Sequence, residues 1–282
     1  MSDSTATTEQ TGRATFLTDT WVMTRRGLIH IKRVPEALTD ATVQPIMFTL
    51  LFAYVFGGAI AVGSGKGAGS GTYREFMIGG VFAQTIAFGC FGVALSLAND
   101  RKNGAIDRFR SLPMAKGSYL AGHAIASLIR GFVPIVLMSL TGLLIGWRIR
   151  NGLGDALAAY ALMIGFGFAM IWVGVLMGAA LSSPEAVQGV AFVVIFPITF
   201  IASTFVPANT LPEPLRTIAQ WNPVTTLAES LRELFGNPHT PVLPTSPWSL
   251  HHPVLYTVIW IMAITVIVAP LATRVFQRSI SD

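Results

Sequence analysis

Cysteine is almost absent: Cys90 is the only one in 282 residues. An intrachain disulfide and a cysteine-based zinc site are thereby excluded, and Cys90 reads as a small packing residue inside an apolar stretch. Charge is scarce as well, at 12% of the chain, where soluble proteins carry about 25%. With 52% hydrophobic residues and a mean hydropathy of +0.60, too little polar surface remains to cover a soluble core. Acidic residues are missing from the interior of every long apolar stretch, and Glu75, Asp100, Asp155 and Glu185 stand at the edges. A proton- or sodium-driven carrier needs an intramembrane carboxylate to bind and release its ion, so the energy for any transport must come from elsewhere.

A nucleotide-binding loop is also lacking. The stretch GSGKGAGSG, Gly63 to Gly71, has Ile60 where the Walker pattern requires Gly and Gly67 where it requires Ser or Thr, so it reads as a flexible linker. No other stretch supplies the pattern, and the chain is not expected to hydrolyse nucleotide alone. The first 15 or so residues are polar and lack a short apolar core with a small-residue cleavage site, so no cleaved signal is expected. The alternating segments of about 10 residues that build membrane barrels are missing too.

What is present is six apolar stretches, near residues 41–62, 76–98, 119–147, 155–181, 187–206 and 254–273. A helix rises about 1.5 Å per residue and the hydrocarbon core is about 30 Å thick, so each is near or above the length of one span. Continuous apolar character favours helices, which satisfy their own backbone in lipid. The net charge of +5 does not point to nucleic acid, because the basic residues are spread over span-flanking loops without a patch of interleaved aromatics. Lys and Arg are nonetheless lopsided. Arg13, Arg25, Arg26, Lys32 and Arg33 precede the first span, Arg101, Lys102, Arg108, Arg110 and Lys116 follow the second, and Arg274 and Arg278 lie in the tail. The opposite loops hold Lys66, Arg74, Arg148, Arg150, Arg216 and Arg232. Cytoplasmic loops carry the excess, so both termini are expected in the cytoplasm.

Ahead of the first span, Leu17, Trp21, Leu28 and Ile31 share one helical arc, with Arg26 and Arg33 opposite and Arg25 and Lys32 flanking. This is the pattern of a helix lying on the membrane surface, and Pro35 ends or kinks it. Residues 1–15 read as a disordered polar tail and 16–38 as this interfacial amphipathic helix. Inside the third span, Arg130 either meets an anionic group or inner cavity, or snorkels and pairs with a backbone carbonyl; His123 reads as a packing residue. Pro134 should bend this long span. Gly142 with Gly146, and Gly174 with Gly178, have the spacing of close helix contacts. In the fourth span Phe166, Phe168, Met170, Trp172 and Met177 either line a path for lipophilic cargo or face lipid. His239, His251 and His252 read as surface residues, and no metal site is expected.

Between the second and third spans runs DRKNGAIDRFRSLPMAKGSY, Asp100 to Tyr119. Gly104 and Pro113 bracket about two helical turns in which Ile106 and Phe109 share a face while Asp107, Arg108 and Arg110 project around the rest. A short surface helix with an apolar edge and charged flanks suits docking into a groove on a soluble partner. The wording of this run, with Ser111, Leu112, Pro113, Tyr119, Leu120 and Gly122, resembles the loop between the second and third spans of type-2 ABC exporter permeases. The likeness is to the daunorubicin-resistance and antibiotic-exporter type of actinobacteria. It extends over nearly the whole chain: Gln44 to Ile60 is similar to the family's first span. Pro207, Leu211, Pro212, Leu215, Ile218, Trp221, Asn222, Pro223, Leu231 and Arg232 resemble its outer signature, where short helices dip back before the sixth span.

The resemblance implies an all-α integral membrane protein of six transmembrane helices occupying 39–282. It adds a cytoplasmic coupling helix at 104–113 and short outer re-entrant helices at 211–235. It also implies a non-enzymatic transport subunit in the cell membrane that pairs with a second permease copy or a sibling. Two separate ABC ATP-binding subunits would dock on Gly104, Ile106, Asp107, Arg108, Phe109, Arg110 and Pro113. ATP and Mg would belong to those partners, with no cofactor on this chain. The expected cargo is an amphiphilic drug or antibiotic; the alternative is a lipid or cell-envelope glycan. A membrane enzyme would need converging acid, base or metal-ligand residues, and a channel a polar pore ring. Neither is visible, Arg130 being the one candidate for such a ring.

Overall fold

The structure, a computed structural model, describes residues 16–29, 43, 45–47, 49–56, 70–110, 115 and 117–279. Among these the chain is helical, with no strand. Helix α1 covers 16–29, and α2 covers Pro45–Val55. There follow α3 (Ser70–Lys102), α4 (Ala105–Arg110), α5 (Ser118–Leu144) and α6 (Leu153–Ala180). Helix α7 is the stretch Pro184–Ile201, which passes through a π-helical turn at Ala191–Ile195. The last four are α8 (Leu215–Trp221), α9 (Pro223–Phe235), α10 (Trp248–His251) and α11 (Pro253–Ser279).

Among the described residues, five helices are long and apolar enough to cross a bilayer: α3 from Tyr73, α5, α6, α7 and α11. Six were expected. Of the stretch 41–62 the described residues are those of α2 with residues 43 and 56, and α2 at about 1.5 Å per residue rises about 16 Å, roughly half a hydrocarbon core. The glycine-rich stretch before Ser70, the tail 1–15, and Ile31, Lys32, Arg33 and Pro35 lie outside the described residues. The third span ends earlier than expected. Gly146, at φ +102°, turns the chain so that Trp147 leaves the helix and is buried completely, its indole N–H donating to Asn237 Oδ1 at 2.6 Å. Gly146 is therefore a turn residue, and the expected pairing with Gly142 in a helix contact is corrected. Gly142 itself lies where an added methyl would come within 3.1 Å of the Trp147 ring.

Helix α3 is the centre of the bundle and α11 its periphery: 61% of the most apolar window is buried in the first and 6% in the second. Lipid tails are as apolar as leucine, so what draws such helices together is close packing at small residues. Gly174 and Gly178 supply it between α6 and α3. A methyl on Gly178 would stand 2.7 Å from the Ala94 carbonyl oxygen, and one on Gly174 would overlap the Cys90 carbonyl and meet Val93 Cβ at 2.8 Å. Gly174→Ala is expected to cost about 1–3 kcal/mol as overpacking. The check is a lowered thermal midpoint in detergent, with Gly92→Ala, where a methyl meets nothing within 4 Å, close to wild type.

The two largest apolar clusters among the described residues sit toward opposite ends of α3. One gathers Phe82, Phe166, Phe235, Met138 and Trp147, and the other Leu97, Ile106, Leu120, Val175 and Phe276. Helices α8 and α9 form within the segment 211–235 and close the first end, α9 packing on α3, α6 and α11. The junction between α8 and α9 follows from its residues. Asn222 caps α9, its Oδ1 accepting from Val224 N at 2.9 Å, while its Nδ2 donates to the Ile198 carbonyl at 2.6 Å and ties α9 to the end of α7. Pro223 at the first helical position loses no hydrogen bond there.

Candidate functional site

The basic segment lies at the second end of α3 and is fastened there by its charges. Arg101 Nη1 donates to the carbonyls of Gly178, Ala179 and Leu181 at 3.3, 2.9 and 3.1 Å, satisfying the last turn of α6 with a cation at its negative end. Lys102 pairs with Glu185 in the first turn of α7 at 3.0 Å. Gly104, at φ +63°, then turns the chain into α4, a conformation that glycine adopts without strain. Two residues that read as loop charges in the sequence therefore bind three membrane helices together.

Helix α4 forms at Ala105–Arg110, inside the expected 104–113. Ile106 is buried in the chain's own core with Leu97, Leu120 and Phe276, and Arg108 is exposed. The apolar edge expected to face a partner is thus partly spent on holding α4 in place. The side chains of Asp107, Phe109 and Arg110, and residue Pro113, lie outside the described residues.

Helix α1 packs on α5 beside this segment. A methyl on Gly122 would overlap Met23 and stand 2.9 Å from the Thr20 carbonyl, and one on Gly27 would meet Ala126 Cβ at 2.6 Å, so the two backbones are nearly in contact. Asp19 Oδ2 accepts from Ala115 N at 2.9 Å, Asp100 Oδ2 from the Tyr119 hydroxyl at 2.8 Å, and Arg26 lies 3.5 Å from Asp100 Oδ1. Of the expected apolar arc, Leu17 and Trp21 are 71% and 63% exposed, Leu28 is half-buried, and Ile31 lies outside the described residues. Between α1, α3 and α5 opens a cavity of about 290 Å³, lined by Met23, Arg26, Gly27, Ile29, Ser96, Asp100, Tyr119, His123, Ala126, Ser127 and Arg130. Arg130 and His123, separate features in the sequence, meet on its wall.

The fourth-span residues diverge. Phe166 is wholly buried in the core with Phe82 and Phe235 and offers no surface to a ligand, whereas Phe168 and Trp172 are half-buried, their rings edge to face at 6.2 Å. Met170 packs half-buried between two clusters. A more exposed aromatic row lies on α7, where Phe192, Phe196 and Phe200 follow at ring distances of 6.3 and 4.1 Å. Their i, i+4 spacing was the available sequence signal.

At the opposite end Pro207 is buried, and half-exposed Trp221 meets Tyr256 edge to face at 5.9 Å. Sequence reasoning counted Arg232 among the basic residues of the outer side, within the short helices at 211–235. On α9 it is completely buried, its guanidinium 3.5 Å over the Phe76 ring. Nε donates to the Phe76 carbonyl at 2.8 Å, Nη2 to the Ser203 and Thr204 carbonyls at 2.7 and 3.1 Å, and Nη1 to Glu229 Oε1 at 2.8 Å. Glu229 also accepts from the Ser203 hydroxyl and from the backbone N–H and hydroxyl of Thr240. Burial pulls the Arg232 guanidinium below its ordinary pKa and the Glu229 carboxylate opposes that shift. The pair is neutral and saturated with hydrogen bonds, as a buried ion pair must be to persist.

Residues 18–235 match the family model described as ABC-2 type transporter. The chain is 32% identical over 226 residues to a daunorubicin resistance ABC transporter permease protein of Streptomyces coeruleorubidus, covering 80% of this chain and 78% of that one. It is 25% identical over 262 residues, 92% of this chain and 88% of the other, to a doxorubicin resistance ABC transporter permease protein of Mycobacterium tuberculosis.

Proposed function

Since the chain belongs to the ABC-2 type transporter family, we propose that it is the membrane subunit of an exporter that moves an amphiphilic drug or antibiotic outward on ATP hydrolysed by a separate protein. The observation that carries this reading is the likeness to drug-resistance permeases over four-fifths of the chain, joined to a sequence with no Walker loop of its own. Two ATP-binding subunits, holding the ATP and Mg, dock at the α4 end. Arg108, with Asp107, Phe109 and Arg110 beside it, supplies the foothold, and Gly104 and Ile106 fix α4 to the bundle. ATP binding favours one arrangement of the permease pair over the other by its differential affinity for the two.

The excess of Lys and Arg supports the α4 end and both termini facing the cytoplasm, and the family likeness supports α8 and α9 as re-entrant helices at the outer surface. The 41–62 stretch completes six spans. A second copy or sibling pairs with this chain, and the aromatic surface at Phe168, Trp172 and the α7 row offers cargo a face to slide on. Expression with and without the cognate ATPase in a drug-sensitive cell tests the division of labour. Efflux of daunorubicin is expected only when both are present, and equal efflux without the ATPase overturns it.

A further inference from the structure

The cavity between α1, α3 and α5 holds more positive than negative charge, and what it holds is poorly matched. Asp100 is already engaged by Arg26 at 3.5 Å and by the Tyr119 hydroxyl at 2.8 Å. Arg130 faces the same space with no acidic side chain against it among the described residues. His123 Nε2 is enclosed there without a hydrogen-bond partner. A cation in the middle of a membrane helix is costly unless something satisfies it, and a volume of about 290 Å³ is near the lower end of small-ligand pockets, which run from about 300 to 1,000 Å³.

Part of the surround is apolar. Ile29 and Met23 form part of the wall, and α1 exposes Phe16, Leu17, Trp21 and Val22, the side chains that settle at the boundary of headgroups and acyl chains. A ligand with a phosphate at one end and a hydrocarbon tail at the other matches both halves.

We propose that this cavity binds the phosphate headgroup of an anionic membrane phospholipid, with Arg130 as its principal charge partner, Ser127 and His123 beside it, and the acyl chains leaving along α1. Bound there, the lipid would join α1 to α5 next to the α4 segment. The inference rests on the chain being embedded in a membrane and on nothing else in the transport reading, since its readout uses neither ATPase nor cargo.

The full chain in nanodiscs of equal dioleoyl phosphatidylglycerol and dioleoyl phosphatidylcholine is released into detergent and examined by native mass spectrometry. One phosphatidylglycerol per chain is expected to be retained, at least tenfold over phosphatidylcholine. Arg130→Gln should abolish that preference, Arg130→Lys should keep most of it, and Arg216→Gln at the far end should leave it unchanged. Equal retention by wild type and Arg130→Gln overturns the site. If Arg130→Gln does not fold, Arg130→Lys and wild type still decide, because equal retention of the two lipids by both proteins overturns it as well. Soluble glycerol phosphate is the second arm. Its binding in the absence of any retained lipid overturns the lipid as occupant, and its failure to displace phosphatidylglycerol supports it.

Discussion

Arg232→Ala is expected to abolish the folded protein. The substitution leaves the carbonyls of Phe76, Ser203 and Thr204 without their donor and Glu229 without its counter-charge, all in a fully buried place. Removing one partner of a buried ion pair costs about 3–5 kcal/mol, and stranded carbonyls add about 1–3 kcal/mol of desolvation. That sum is comparable with the whole stability of many domains, about 5–15 kcal/mol. The measurement is the yield of monodisperse protein from membranes and the midpoint of thermal unfolding by tryptophan fluorescence, for which buried Trp147 is a local reporter. Glu229→Gln with Arg232→Met, which removes both charges together, should recover part of the loss. A single Arg232→Ala variant as stable as wild type would show that the network contributes nothing to folding.

Reversing Arg108 and Arg110 to Glu is expected to reduce ATP-dependent efflux at least tenfold while leaving the permease folded. Arg108 is exposed and Ile106, which anchors α4, is untouched, so the change at Arg108 falls on the exposed side of α4. Exposed charge reversals cost a monomer little, usually within about 0.5 kcal/mol. Like charges set against each other across an interface disfavour a partner by several kcal/mol. Copurification with the ATPase and drug-stimulated ATP turnover report the effect, with thermal stability as the control. Intact binding and intact turnover in the variant would remove α4 as the coupling element. Here the two variants separate cleanly: the first should fail at assembly of the chain, the second at its junction with the motor.

The way these residues read in the sequence differs, and the difference has physical causes. Long apolar runs declare α3, α5, α6, α7 and α11 because lipid requires each helix to be apolar along its length and to satisfy its own backbone. Gly174 and Gly178 were legible because a four-residue period places both on one face, and Asn222-Pro223 because capping and the missing N–H act within a few residues. Arg101, Glu229 and Arg232 were not. Apart from the i,i+3 contact between Glu229 and Arg232, their partners lie 11 to 156 positions away along the chain, and nothing local distinguishes a loop arginine from one enclosed by three carbonyls.

Composition and periodicity alone therefore determined a helical membrane protein, its principal spans, the short helix after Gly104, and the want of a nucleotide loop. These depend on the solvent each segment needs and on spacings within a few turns. Only the tertiary structure decided that Ile106 faces inward, that Gly146 and Trp147 end α5, and that Arg232 lies at the bottom of a closed network. It alone put Arg130 and His123 on one cavity wall. Those outcomes depend on which distant backbone groups arrive beside a side chain, a relation that exists only once the helices have packed.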